Sequence, residues 1–239
     1  MKSSLGFDPR DIPWSAPTGE WPALPNEWLT AERLKHVFNH PPDWTPEVKR
    51  EPQLGQRPSR AAAVLIPIVL RGTNGADPHL LLTQRTLHLS SHAGQIAFPG
   101  GKVDEADASA EAAALREANE EVGLASHFVE IVGTLPSYVT GTAFHITPVV
   151  GLVSPDHIVT PNAFEVADVF EVPLAFLMNP HNHRLHTWER EGVTRQWYSM
   201  PYTEPADRSN ALTNERYIWG ATAGMIRNFY RFILAANSL

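Results

Sequence analysis

The order of apolar runs along this chain predicts a sandwich of mixed α+β or α/β class, and three observations carry the prediction. Many short strand-like runs are interspersed with only a few helix-like ones. Hydrophobic residues make up 43% of the 239 and charged residues only 19%, a balance that supports a core and argues against disorder. Ten of the 21 prolines fall in the first 60 residues, so a proline-rich N-terminal arm (1–60), partly irregular, precedes a regular body (61–239).

Within the arm, Pro9, Pro13, Pro17, Pro22 and Pro25 interrupt any long element. One short helix is predicted after Thr30, a good N-cap, with Leu34, Val37 and Phe38 at helical spacing. Trp14, Trp21, Trp28 and Trp44 are too many tryptophans for a solvated tail. The arm is therefore expected to pack on the body or on a second subunit, as in a homodimer. In the body, Ala61–Arg71 reads as a buried strand in which Pro67 marks an edge or a bulge. Thr73–Pro78 is turn chemistry, and His79–Arg85 and Gln95–Phe98 are strands. Ser109–Val122, rich in alanine and followed by Gly123, is the clearest helix. Strands follow at Phe128–Leu135, His145–Val153 and Asp168–Val172, then a helical turn at Leu174–Met178. Arg184–Trp188 and Arg195–Met200 form a hairpin around Glu191-Gly192, and Ala221–Ala235 is a closing helix.

A formal charge of −7 lacks the basic footprint of a general nucleic-acid binder. The absence of cysteine excludes disulfides, thiolate metal sites and cysteine nucleophiles. The longest apolar run, Ala61–Leu70, is far short of a membrane span, and the first residues carry no signal-like stretch. A cytoplasmic protein with no membrane partner is expected.

The chemistry is concentrated in Gly100–Leu124. At about 100° per residue, Glu120 and Glu121 lie about 60° and 40° to either side of Glu117, so three carboxylates share one narrow helix face. Leu115, Ala118 and Val122 fall opposite and are expected to pack on a sheet. Crowded like charges destabilise an isolated helix, and a divalent cation removes that cost. Hard oxygen ligands select Mg²⁺ or Mn²⁺. The alternative is a solvated acidic face with Arg116 paired to Glu120 at i,i+4. The strand ending in Phe98-Pro99-Gly100-Gly101 and the loop after it favour the metal reading, because glycine lets backbone approach a phosphate or a metal closely.

The segment resembles the Nudix box, G-x5-E-x7-R-E-U-x-E-E-x-G-U. Arg116, Glu117, Ala118, Glu120, Glu121, Gly123 and Leu124 match its second half. Asp107 stands where the first Glu is expected, and eight residues rather than seven precede Arg116. Upstream, Leu81–Gly101 resembles the signature of the coenzyme A pyrophosphatases in that superfamily. Leu81, Leu82, Thr83, Arg85, Gly94, Phe98, Pro99, Gly100 and Gly101 match, Thr86 replaces Ser, and Ser90 stands where an Arg is expected. The resemblance spans roughly Ala61–Leu234 and implies a Nudix-type α/β/α sandwich with a mixed β-sheet.

It also implies metal-dependent hydrolysis of the CoA or acyl-CoA pyrophosphate bond to 3′,5′-ADP and (acyl-)4′-phosphopantetheine. Glu117 and Glu121 are the first-choice metal ligands, joined by Glu120 and the Gly101 carbonyl, and Arg116 orients a carboxylate or makes an ordinary ion pair. Glu165 is the candidate general base, with Glu120 as its rival and a solvated loop glutamate as the alternative. Arg85, His92 and Gly100 are substrate-side candidates; Arg85 would otherwise be a salt bridge and His92 an ordinary hydrogen-bonding residue. His181, His183 and His186 read as an exposed turn and strand, Glu171 as structural or exposed, and Trp219 and Thr222 as substrate-facing or core. Two other functions stay open: a Nudix pyrophosphatase for ADP-ribose or dinucleotides, and a catalytically inactive Nudix-like binding module.

Overall fold

The computed structural model describes residues 8–19, 21–52, 58–89, 91–190, 192–204 and 215–237. In chain order its strands are β1 (Trp14–Ser15), β2 (Arg60–Val69), β3 (His79–Arg85), β4 (Ile96–Ala97), β5 (Gly100–Lys102), β6 (Val129–Thr134), β7 (Tyr138–Val139), β8 (Phe144–Val153), β9 (Val166–Pro173), β10 (Arg184–Arg190), β11 (Val193–Thr203) and β12 (Glu215–Trp219). Its helices are α1 (Ala31–Asn39), α2 (Ala110–Val122), α3 (Leu174–Leu177) and α4 (Gly220–Ala236).

The larger, mixed sheet runs β4-β3-β2-β8-β6, with β5 on β2, β7 on β8 and β9 on β3. Its axis is the parallel pair β2–β8, in register from Arg60↔Phe144 to Val69↔Val153. Both strands are apolar on nearly every residue because both faces of the sheet are covered. On one face, Ala63, Leu65 and Val69 of β2 meet Ala113, Ala114, Ala118 and Val122 of α2. On the other, Ile66 and Ile68 meet α1 and α4 through Leu34, Val37, Ile226 and Phe229. Small alanines let α2 lie close to the sheet. The result is an α/β/α sandwich. A second, antiparallel sheet, β1-β10-β11-β12, contains the hairpin read from Glu191-Gly192.

Helix α1 begins where expected: the Thr30 hydroxyl accepts from Arg33 N at 3.3 Å. Leu24 of the arm is buried and its N–H donates to the Met178 carbonyl at 3.1 Å. Trp44 packs its ring on Phe232, and Trp21 lies under the Arg231 guanidinium, 3.9 Å from its centroid. Trp14 remains 54% exposed beneath Arg184.

Three expectations need correction or narrowing. Pro67 causes no bulge, because β2 is continuous against β8; it lies instead at a locally unpaired edge of β2, the other alternative the sequence offers. It is tolerated because β5 pairs only residues 62–64 of the opposite edge and β3 only residues 68 and 69, leaving Pro67 in the gap. Leu115 is only partly buried and lies outside the core cluster that α2 forms through Ala113, Ala114, Ala118 and Val122. The histidines are not an exposed set. His183 and His186 are each 1% exposed, His183 facing the Leu177 carbonyl at 2.7 Å and His186 bridging Ile12 O and Ser199 Oγ. Thr222 is buried and donates to Ile96 O, and Glu171 holds Arg71 at 2.6 Å, both in supporting roles. Among the described residues no helix is long and apolar enough to cross a membrane.

Candidate active site

Helix α2 starts at an N-cap, Ser109, whose hydroxyl accepts from Ala112 N, and stops at Gly123 in the left-handed conformation (φ 68°). These ends fix the axial position of Glu117, Glu120 and Glu121. The three share a side of the helix but not an environment. The Glu121 side chain is 6% exposed, Glu117 18% and Glu120 57%. Rotation towards the sheet carries Glu121 inward, while Glu120 stays in solvent.

The strand-loop segment before α2 meets these carboxylates directly. Gly100 N donates to Glu121 Oε2 at 3.1 Å, and Arg85 Nη1, at the end of β3, reaches Glu121 Oε1 at 3.3 Å. A Cβ on Gly100 would sit 2.4 Å from the Ala63 carbonyl oxygen, and one on Gly101 2.5 Å from the Glu117 carboxyl. Glycine at both positions therefore brings the β5 backbone against β2 and against Glu117.

Arg116 organises the outer side. It binds Asp107 through Nε at 3.0 Å and Nη2 at 2.9 Å, and its Nη1 lies 3.0 Å from both Glu117 and Glu120. Its Nη2 also donates to the Lys102 carbonyl at 3.1 Å. Arg116 therefore makes the i,i+4 pair with Glu120 and also bonds Glu117. Asp107 is the residue whose importance the sequence marked only by position. Its side chain is 7% exposed, and the Arg116 guanidinium holds its carboxyl down at about 2. The shorter aspartate at the first acidic position of the box thereby anchors the arginine.

Electrostatically the inner site is strained. Burial lifts the Glu121 carboxyl to about 7 against the lowering influence of Gly100 N–H and Arg85, and Glu117 and Glu165 push it further up. Burial also raises Glu117, opposed by Arg116. Glu165 enters through the β3–β9 pairing, where Arg85 faces Val166 and Thr86 N donates to the Glu165 carbonyl at 2.9 Å. His92 is not brought in. It is exposed, has a positive φ of 56° and faces Gln95 Oε1 at 2.8 Å. Ser90 lies outside the described residues.

Two repulsive, partly buried carboxylates with only oxygen donors suit a hard divalent cation, which would offset the charge that burial penalises. In the present arrangement these groups are arginine-paired. Among the described residues no three acidic or histidine side chains stand ready as a metal-holding group. A cation at Glu117 and Glu120 would share them with Arg116.

Residues 59–211 match the model of the NUDIX domain family. The chain is 44% identical over 183 residues to "Uncharacterized Nudix hydrolase NudL" of Shigella flexneri serotype 5b (strain 8401), covering 76% of this chain and 85% of that protein. It is 46% identical over 169 residues to the protein of the same name from Escherichia coli (strain K12), covering 70% and 80%. Among solved structures it is similar to a C. elegans Ap4A hydrolase binary complex, at 21% identity over 48% of this chain and 80% of that one, TM-score 0.40. It is also similar to a MutT/nudix family protein from Enterococcus faecalis, at 18% identity over 74% and 63%, TM-score 0.43. With its acidic helix seated on a mixed sheet and the family's domain matched over most of its length, the chain belongs to the Nudix hydrolase family.

Proposed function

We propose that this Nudix hydrolase cleaves the pyrophosphate bond of CoA or acyl-CoA in the cytoplasm, releasing 3′,5′-ADP and 4′-phosphopantetheine or its acylated form. One observation carries the reading. The segment Leu81–Gly101, which resembles the CoA pyrophosphatase signature, closes on the acidic helix from both ends. Arg85 holds one oxygen of Glu121 and Gly100 N–H the other. The two motifs meet at the Glu121 carboxyl, which supports reading them as one site.

Arg85 has a further donor to offer: its Nε is buried and has no hydrogen-bond partner among the described residues. A substrate phosphate accepting from it would satisfy that group and gain a charge-assisted hydrogen bond. Nudix hydrolases generally require a divalent cation such as Mg²⁺ or Mn²⁺. When bound, such an ion neutralises the phosphates and lowers the pKa of water. Glu117 and Glu121 would hold it, with Glu120 and the Gly101 carbonyl as further oxygen donors. Arg116, fixed by Asp107, orients Glu117 from behind. With both inner glutamates committed, Glu165, which immediately precedes β9 and whose carbonyl accepts from Thr86 N, is the side chain left to accept the proton of the attacking water.

The test is chromatographic identification of products from CoA, ADP-ribose and NADH, each with and without Mg²⁺. CoA should be cleaved far faster than the other two, and only with the cation. Preference for ADP-ribose or NADH would move the protein to another Nudix substrate class, and no turnover of any would make it a binding module.

A further inference from the structure

The described residues include four large apolar side chains that are mostly exposed: Trp14, Leu87, Ile158 and Phe164. Three of them lie on the two segments that border the acidic site. Leu87, 64% exposed, follows β3 two residues after Arg85, and Phe164, 67% exposed, immediately precedes Glu165. Ile158, also 67% exposed, belongs to the same segment as Phe164, which is tied to the end of α2 by Thr160 N→Val122 O at 2.7 Å and Asn162 N→Glu121 O at 2.9 Å. Of the three, Phe164 is the one tied by backbone and ring contacts to both bordering segments.

Phe164 is held in position. Its N–H donates to Asn162 Oδ1 at 3.1 Å, and its carbonyl accepts from Thr86 Oγ1 at 3.0 Å. Glu165 N and Thr86 N complete the frame through Asn162 O and Glu165 O, each at 2.9 Å. The ring leans on His88 with centroids 4.9 Å apart and planes inclined at 58°. An exposed aromatic with a fixed backbone and an aromatic backing is preorganised, so little ordering entropy opposes a ligand that covers it.

We propose that Phe164, backed by His88, is the platform on which the nucleobase of the substrate stacks while the adjoining phosphate is held at Arg85. His88 is three residues from Arg85, at most about 11 Å of extended chain. The platform thus lies close to the phosphate-binding donor. The exposed Phe164 ring, with His88 tilted against it, offers a π face that favours an offset, conjugated partner over a flexible chain. The inference rests on the proposed reading only for the identity of the nucleotide; an adenine ring would dock in the same way from ADP.

The experiment is calorimetric titration of the full chain, with Mg²⁺ present, using 3′,5′-ADP, ADP and 4′-phosphopantetheine in turn. Wild type is compared with Phe164→Ala, Phe164→Leu and Phe164→Trp, surface changes that leave the core intact. Base–aromatic stacking is worth about 1–3 kcal/mol, so Ala and Leu should weaken both adenine nucleotides about 5- to 150-fold. Trp should retain binding, and the ring-free 4′-phosphopantetheine should bind all four proteins alike. The same Ala variant should raise KM for the hydrolysed substrate more than it lowers kcat. Unchanged nucleotide affinity in Phe164→Ala overturns the proposal, as does Leu binding as well as Phe. A loss confined to 4′-phosphopantetheine, or no adenine nucleotide binding by wild type, overturns it too. If CoA proves not to be hydrolysed, weakened ADP binding by Phe164→Ala still supports the platform, and only the substrate assignment falls.

Discussion

Two clusters of charge, one on each side of the larger sheet, use the same residue types to opposite ends. At α2, five carboxylates (Asp104, Asp107, Glu117, Glu120 and Glu121) share two guanidiniums, those of Arg85 and Arg116. At α4, one carboxylate, Glu47, serves two guanidiniums. Arg227 Nε reaches it at 3.0 Å and Arg231 Nη1 at 2.7 Å, and Tyr198 adds its hydroxyl. Burial alone would raise Glu47, but Tyr198 and Arg227 outweigh it and hold the carboxyl below its ordinary value. At α2 the balance goes the other way, and burial leaves Glu121 near 7. The α4 cluster places two guanidiniums on one carboxylate and on the faces of Trp21, Tyr198 and Tyr230, and it fastens the arm, through Glu47 and Trp21, to the C-terminal helix; the buried Arg227 Nη2 has no hydrogen-bond partner among the described residues. The α2 cluster carries more carboxylates than guanidiniums, a surplus that the proposed cation would offset. The sign of the surplus, negative at α2 and positive at α4, distinguishes the candidate site from the staple.

The contrast can be broken most forcefully at the proposed base. Glu165→Gln should lower kcat about 10²- to 10⁴-fold while leaving cation affinity nearly unchanged. Steady-state kinetics with a Mn²⁺ titration checks both. Loss of Mn²⁺ binding would make Glu165 a ligand, and wild-type kcat would return the role to Glu120.

The staple should respond in stability rather than chemistry. Arg227 is fully buried, so Glu47→Ala leaves it facing only the remaining aromatic rings and His183. Breaking a buried pair costs several kcal/mol, and because Glu47 is 27% exposed a loss of about 3 kcal/mol is expected from urea unfolding. CoA turnover per folded molecule should stay close to wild type. A normal urea midpoint would show that the pair does not fasten the arm.

A smaller effect concerns pH. Burial, with a further push from Arg227, lowers His183 to about 4. An unfolded histidine titrates near 6.5, so between the two values the unfolded chain binds the extra proton. The stability contributed by neutral His183 is full above about pH 6.5 and is lost as pH falls towards 4. His183→Gln should flatten the fall of the urea midpoint between pH 6.5 and 4.5; a slope identical to wild type would contradict the assignment.

The two clusters also differ in how much of them could be read from sequence. The α2 site is built from local spacing. Ser109 and Gly123 set the helix ends, and Arg116, Glu117, Glu120 and Glu121 lie within six residues. Even there, the unequal burial of the three glutamates depends on β5, a three-residue strand containing two glycines that carries no strand signal of its own. The core face was partly misassigned for the same reason: close approach to β2 selects Ala113 and Ala114 over Leu115. The α4 staple left no local trace. Arg227 and Glu47 are separated by 180 residues, and nothing around either announces a fully buried guanidinium. His183 and His186 were misplaced because their partners, Leu177 O, Ile12 O and Ser199 Oγ, are supplied by tertiary contact.

The central claim, that the α2 carboxylates form a cation site rather than a structural network, is tested most directly by measuring thermal unfolding of wild type and Glu121→Gln with and without Mn²⁺. Without the cation, Glu121→Gln should melt at the wild-type temperature or above it, because it removes a charge that burial disfavours. Mn²⁺ should raise the melting temperature of wild type and leave Glu121→Gln nearly unmoved. A variant that melts well below wild type in the absence of metal, yet is stabilised by Mn²⁺ to the same extent, would make Glu121 a structural partner of Arg85 and Gly100 and contradict the account.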